Sequence, residues 1–136
     1  METIIRKTDP FRPDEEVIAQ GAKILQQGGL VAFPTETVYG LGGNGLDADA
    51  CRRIYAAKGR PSDNPLILHI SSLEELAGIV KEVSPAAKKI IDAFWPGPIT
   101  IIFPKAECVP YAATGGLETV AVRFPSHPTA QALIHA

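Results

Sequence analysis

Two short stretches hold most of the side chains that could do chemistry. Lys58-Gly59-Arg60-Pro61-Ser62-Asp63-Asn64 sets two cations two residues apart on a loop constrained by glycine and proline. Lysine offers a compact point charge and arginine a planar fork, a pairing suited to phosphates and carboxylates together. Prolines hold such a loop at low entropic cost, which favours electrostatic stabilisation by groups already in place. A solvated basic helix end complementing its own dipole would read the same way. The other stretch, Leu30 to Gly45, runs LVAFPTETVYGLGGNG. Here Thr35, Glu36, Thr37 and Tyr39 crowd hydrogen-bonding groups behind Pro34, and Gly40, Gly42, Gly43 and Gly45 follow. An apolar run that empties into polar side chains and permissive backbone is a common ligand site in α/β proteins. A strand, a proline stop and a glycine-rich turn with no ligand is the other reading.

Single residues extend the set. His69 lies on an apolar segment, where a satisfied core histidine and a catalytic one are both open readings. Arg123 stands amid Ala121, Val122, Phe124 and Pro125, so it needs an internal carboxylate or an anionic ligand. Lys58, Arg60, Arg123, Thr35, Thr37, Tyr39, Asn64 and His69 all fall at element ends, which in an α/β sheet converge on one crevice. The chemistry implied is a site for a small polar ligand bearing anionic groups, such as a nucleotide plus a carboxylate. Other chemistries find no support. A GxxxxGK[ST] loop, an ordered GxGxxG after a strand and a GxSxG elbow are all absent. His69, His127 and His135 share no ligand-like spacing, and Cys51 and Cys108 form no CxxC pair. Two free thiols in a reducing cytoplasm, with no zinc, is the expectation.

The positioning elements are punctuated by 12 prolines. Thr3–Arg6 reads as a short first strand. Pro13, with the acids Asp14, Glu15 and Glu16, starts a helix that Gly28-Gly29 ends. Leu30–Phe33 is read as a buried strand stopped by Pro34, completing a β-α-β opening. Asp47 or Asp49 caps a second helix that delivers Lys58 at its C-terminal end, with Arg52 and Arg53 as solvated charges. Pro65–Ile70 reads as a buried strand of parallel-sheet type. Ser71 or Ser72, and then Ser84-Pro85, start two further helices. Trp95-Pro96-Gly97-Pro98 is a rigid turn whose tryptophan plugs the core, feeding a strand at Ile99–Phe103. Lys105–Glu118 is expected as a long loop, Thr119–Phe124 as a strand, and Pro128 as the start of a last helix.

Composition sets the outer bounds. A chain of 136 residues, 46% hydrophobic and 21% charged, fits one soluble domain with a real core. A formal net charge of -2 gives no global pull toward nucleic acid or anionic membrane, so any basic site must be local. No apolar run approaches the roughly 20 residues that span a bilayer, and the N-terminus lacks a secretory h-region. Cytoplasmic localisation follows as the expectation.

Four ordered segments go further. PTETVYGLGGN (Pro34–Asn44), IYAAKGRPSDNPLILHI (Ile54–Ile70), FWPGPIT (Phe94–Thr100) and VAVRFPSHP (Val120–Pro128) closely resemble the YrdC-type threonylcarbamoyl-adenylate synthases. The resemblance is collinear over nearly the whole chain. It implies an α/β fold: a YrdC-like twisted mixed sheet flanked by helices, with a concave basic groove. It implies condensation of L-threonine, bicarbonate and ATP, with Mg²⁺, into threonylcarbamoyl-AMP and pyrophosphate. The product would feed the tRNA-modification machinery that adds threonylcarbamoyl to adenosine in tRNAs reading ANN codons. Carried onto this sequence, Thr35 and Thr37 fall in the threonine-binding segment, with Thr37 aligning slightly better. His69 and Arg123 would help hold the threonine hydroxyl and carboxylate. Lys58 and Arg60 would be catalytic, and with Asn64 and the Thr119 region would face ATP.

The family's Ser-x-Asn motif follows the helix beginning near Pro128 and has no counterpart in these residues. The expectation is a single YrdC-like domain over residues 1–136 that lacks its C-terminal part and has impaired activity by itself. Two alternatives share the fold. One is a non-catalytic module binding tRNA or double-stranded RNA in its groove. The other is the carbamoyl-adenylate-forming domain of hydrogenase-maturation proteins.

Overall fold

The computed structural model describes residues 2–61 and 63–136; Met1, and Ser62 within the Lys58–Asn64 loop, lie outside the described residues. Among the described residues six helices and five strands make a mixed α/β fold: α1 (Glu15–Gln26), β1 (Val31–Pro34), β2 (Tyr39–Gly42), α2 (Ala48–Lys58), β3 (Ile67–His69), α3 (Leu73–Ile79), α4 (Pro85–Phe94), β4 (Thr100–Pro104), α5 (Tyr111–Thr114), β5 (Thr119–Arg123) and α6 (Pro128–His135). The strands divide between an antiparallel β1–β2 ribbon and a three-stranded sheet of order β3-β5-β4. In that sheet β3 runs parallel to β5, and β4 antiparallel to it.

Local chemistry sets the helix starts. Asp14, Asp47, Ser72 and Ser84 each accept a backbone N–H in the first turn of the helix that follows. Such caps contribute about 1 kcal/mol each. Pro85 and Pro128 open α4 and α6, where the missing N–H is harmless. Arg52 pairs with Asp49 on the surface at 2.6 Å. Arg53 does more than solvate the helix, because its guanidinium donates to the Gly28 carbonyl at the C-terminal end of α1.

Alternation along the strands sorts the three-stranded sheet into two faces. Ile101 and Phe103 of β4 and Val120 and Val122 of β5 are buried, against Leu76 of α3 and Ile91 of α4 in one core cluster. Trp95 caps α4 and joins this cluster, its ring tilted against Phe103 and edge-on to Phe124. Its indole N–H donates to the Ile99 carbonyl at 2.8 Å. The core plug expected of Trp95 is what it forms. The opposite face stays open: Ile102 is 68% exposed and Ile67 40%. Elsewhere α1 and α6 pack together beside β1, with Gly21 facing Leu133.

Several expectations need correction. Thr3–Arg6 forms no strand and is exposed throughout, because no other strand lies alongside it, so α1 and not a β-α-β unit opens the fold. The strands at 30–33 and 65–70 are not buried as read. β1 has only β2 as a partner and exposes Ala32, while β3 is three residues long and has β5 on one side only. The segment after Pro34 is not simply a loop, since Tyr39–Gly42 returns as β2, with Pro34 opposite Tyr39. The long loop at 105–118 contains α5.

That last segment is tied down on several sides. Lys105 is only 9% exposed, and its ammonium lies 4.5 Å over the Tyr111 ring. The Tyr111 hydroxyl donates to Glu118 at 2.6 Å, and this bond raises the phenol's pKa above its usual value. So anchored, α5 docks on the loop that follows Lys58: Leu66 N–H donates to the Ala113 carbonyl at 2.9 Å.

Two left-handed glycines test this docking. Gly59 (φ 61°) and Gly115 (φ 63°) both end helices in the αL region. A Cβ on Gly59 would meet no described atom within 4 Å, whereas one on Gly115 would lie 2.6 Å from the Asp63 carbonyl oxygen. Gly59→Ala is expected to lose about 1–2 kcal/mol from backbone strain alone. Gly115→Ala should lose at least about 3 kcal/mol, because backbone must also move. Urea unfolding measures both, and equal losses would show that α5 is not seated on the loop.

Candidate functional site

The open face of the three-stranded sheet carries one polar rung. Strand register places His69 beside Arg123, and Arg123 beside Thr100. Arg123 donates to the Thr100 hydroxyl from Nε at 3.1 Å and from Nη2 at 2.9 Å. The partner required by its charge is therefore not a contacting carboxylate but a neutral oxygen, which orients the guanidinium without neutralising it. Among the described residues the ion pairs are Arg52–Asp49 and Lys88–Asp92, both at the surface. Arg123 thus retains its capacity for an anionic ligand.

His69 is half-buried beside it. Its Nδ1 lies 3.1 Å from the Ile67 carbonyl, and the Phe33 ring stands edge-on to it at 6.1 Å. Burial lowers the imidazole pKa below its ordinary value; the Ile67 carbonyl and Glu36 push it up and the Arg123 charge pushes it down, leaving it lowered overall. The lowering favours the neutral ring at pH 7, which donates at one nitrogen and accepts at the other.

Glu36 reaches this place from the β1–β2 turn. Its Oε2 accepts the Ser126 N–H at 3.0 Å, just beyond β5. Burial pushes its carboxyl up, but the bonds from Ser126, its own amide and the charge of Arg123 outweigh that and lower it. Within the same turn the Thr35 hydroxyl donates to the Val38 carbonyl at 2.5 Å. Thr35 is thereby occupied in closing the hairpin, whereas Thr37 beside it is exposed.

A cleft of about 470 Å³ lies between the hairpin, β3, α1, α2 and α6. Its charged and polar lining includes Lys58, Arg60, His69 and Asn44; Phe33, Leu41, Ile67 and Leu133 supply apolar wall. Gly40, Gly42, Gly43 and Gly45 run along one side. Lys58 ends α2 and is exposed. The αL turn at Gly59 then lets Arg60 N–H close on the Tyr55 carbonyl at 3.0 Å, which aims the chain back toward the sheet. The loop is fixed by its backbone, with Tyr55 hydroxyl donating to the Asn64 carbonyl at 2.6 Å and Asn64 N–H to the Pro61 carbonyl at 3.1 Å. Among the described residues the Arg60 guanidinium makes one hydrogen bond, a long 3.4 Å contact to the Pro65 carbonyl.

The structure thus gathers Lys58, Arg60 and His69 on one cleft and seats Arg123 next to His69. Thr35 and Thr37 stand at the hairpin tip, while exposed Asn64 belongs to the cation loop without lining the cleft. Thr119 begins β5, at the end of the strand opposite Arg123, and is exposed. Thr100, Phe33 and Ser126 were not singled out as site residues by their sequence context. The WPGPIT segment signals a turn and a strand, but only strand register reveals what Thr100 touches. Among the described residues no group of three or more His, Cys, Asp or Glu converges to ligate a metal. None of their helices is long and apolar enough to cross a membrane.

Known proteins share this fold. Residues 23–136 match the family model of the Sua5, YciO and YrdC proteins, described as telomere recombination. The chain is 54% identical over 123 residues to the threonylcarbamoyl-AMP synthase of Pyrococcus abyssi, covering 90% of this chain and 36% of that protein. It is 49% identical over 128 residues to the Bacillus subtilis threonylcarbamoyl-AMP synthase, covering 93% of this chain and 37% of that one. The crystal structure of P. abyssi Sua5 complexed with L-threonine superposes with a TM-score of 0.89 at 54% identity, over 91% of this chain and 36% of the other. The chain spans little more than a third of the length of these relatives. With the match covering most of its residues, and with the same fold beneath it, the chain belongs to the Sua5/YciO/YrdC family.

Proposed function

We propose that residues 1–136 act as one YrdC-like domain of an L-threonylcarbamoyladenylate synthase. The reaction joins L-threonine, bicarbonate and ATP into threonylcarbamoyl-AMP and pyrophosphate. The product then serves threonylcarbamoyl modification of adenosine in tRNAs that read ANN codons, and the enzyme works in the cytoplasm. One observation carries the reading: a single cleft has Lys58 and Arg60 on one wall and His69, backed by Arg123, on another.

Two anions must meet in this reaction. The threonine amine first takes up bicarbonate as a carbamate, with loss of water. A carbamate oxygen then attacks the α-phosphorus of ATP, and the bond to the β-phosphate breaks, so pyrophosphate leaves with the electron pair. Little covalent work falls to the protein; positioning and charge stabilisation supply the acceleration. Lys58 and Arg60 suit the phosphate side, offsetting repulsion and the charge gathered on pyrophosphate. Asn64 and the Thr119 region are assigned to the rest of the nucleotide. Arg123, oriented by Thr100, suits the threonine carboxylate. Neutral His69 suits the threonine hydroxyl, and the hairpin residues Thr35 and Thr37 form the adjoining wall. Of these two, Thr37 has the less committed hydroxyl. Mg²⁺ enters with ATP as the metal nucleotide, and no step is assigned to it.

Lys58→Ala and Arg60→Ala are each expected to slow threonine-dependent ATP–pyrophosphate exchange by ~10²-fold or more, about 3 kcal/mol of transition-state stabilisation. Threonine affinity should change less than about twofold, because the threonine contacts are assigned to His69, Arg123 and the hairpin and not to these two cations. Unaltered exchange in both variants would sink the assignment. Calorimetric titration of threonine and of ATP, each with and without the other, should show mutual enhancement.

His69 supplies a pH test. With its folded pKa lowered, the unfolded chain binds more protons between that value and the ordinary histidine value of about 6.5. Stability therefore rises with pH across this window and is lost as pH falls through it. NMR titration of His69 should give a midpoint below about 6.5, and His69→Gln should flatten that part of the stability profile. A midpoint above the ordinary value would refute the buried, neutral imidazole.

A further inference from the structure

The reaction as assigned leaves one charged side chain of this region without a task. Glu36 sits at the tip of the hairpin, in the turn that Thr35 closes onto Val38. Its carboxylate is bonded to the Ser126 N–H across 90 residues of sequence, in the segment joining β5 to α6. Phe33, three residues before it, places its ring edge-on to His69. The hairpin is therefore fastened at two points, by an apolar contact to β3 and by a charge-assisted hydrogen bond to the segment after β5. Among the described residues β1 and β2 pair only with each other and β1 packs beside α1 and α6, so Glu36 is what carries the turn itself across to the segment after β5.

We propose that Glu36 is a positioning residue, whose carboxylate tethers the hairpin tip to the Ser126 amide and so holds the threonine-selecting wall against the His69–Arg123 rung. The proposal rests on the reading of the cleft as a threonine and ATP site. Glu36 acts through Thr35, Thr37 and Phe33 and touches no substrate itself. A carboxylate suits the task for two reasons. It makes a charge-assisted bond to the amide, and it lies in the favourable field of Arg123. It also faces His69, which it pushes toward protonation against Arg123 and burial. Glutamine could keep the acceptor oxygen while losing the charge, so tether and field are separable.

The test compares Glu36→Ala and Glu36→Gln with the wild-type chain. Titrations use L-threonine and ATP, and NMR follows His69 and the Ser126 amide. Glu36→Ala is expected to weaken threonine binding by ~10-fold or more while ATP binding changes less than about twofold, since the tether is remote from the phosphate wall. Glu36→Gln should recover most of the threonine affinity. Both variants should lower the His69 midpoint, but only the alanine variant should speed hydrogen exchange at Ser126. Equal threonine affinity in wild type and Glu36→Ala would overturn the proposal, as would equal loss of threonine and ATP binding. Unchanged Ser126 exchange in the alanine variant would overturn the tether itself. Failure of wild type to bind threonine would instead refute the substrate reading, and with it the wall, while the exchange data would still report on the tether.

Discussion

The position of β5, hydrogen-bonded to β3 on one side and β4 on the other, decides which groups meet at the polar rung of His69, Arg123 and Thr100. Its alternation sends Val120 and Val122 into the core and leaves Ala121 and Arg123 on the open face. A slip of one residue would exchange these sets. It would expose two valines, each worth about 1.5–3 kcal/mol when buried, and drive a guanidinium into the core without a partner. The hydrophobic side of the sheet thus enforces the register of its chemical side. Thr100 and His69 meet Arg123 because the core on the far face permits no other alignment.

Charge in this protein is local. A net charge of -2 is spread over a surface whose ion pairs, among the described residues, are exposed and therefore weak. What matters is that Arg123 is held by an oxygen that does not cancel its charge, and that Arg60 is held by little. In the cation loop, by contrast, Tyr55 and Pro61 hold the Asn64 backbone and α5 holds that of Leu66. Hydrogen-bonded backbone on the described residues, beneath lightly held cationic heads, is a sound arrangement for polyanions.

Much of this was legible in the residues, and the exceptions have physical reasons. Helix starts could be read because Asp14, Asp47, Ser72 and Ser84 act on their own first turns. The cation loop could be read because Gly59 and Pro61 constrain it locally. The second strand of the hairpin was hidden because Tyr39-Gly40-Leu41-Gly42 lacks strand propensity and is stabilised by its partner. The α5 turn is a single turn too short for periodicity, held by Lys105, Tyr111 and Glu118. Edge exposure of β3 and the Thr100–Arg123 contact depend on strand order, which no local pattern encodes. Arg53 looked like surface charge for the same reason, its acceptor lying in another helix's end. For the site, the residue types were visible but their distribution between cleft, turn and rung was not.

The bond between Glu36 and Ser126 has a temporal meaning as well as a spatial one. Its two partners are 90 residues apart, so during synthesis it cannot form until the segment beyond β5 has been made. During synthesis the N-terminal helices and the β1–β2 ribbon can form early, since their contacts are short in sequence. The sheet cannot, because its central strand emerges later than β3 and β4. A nascent chain short of β5 therefore owns the cation loop and the hairpin but has no rung for them to face. Competence to bind a ligand across the cleft arises late, when β5 inserts and the Ser126 segment and α6 follow it into place.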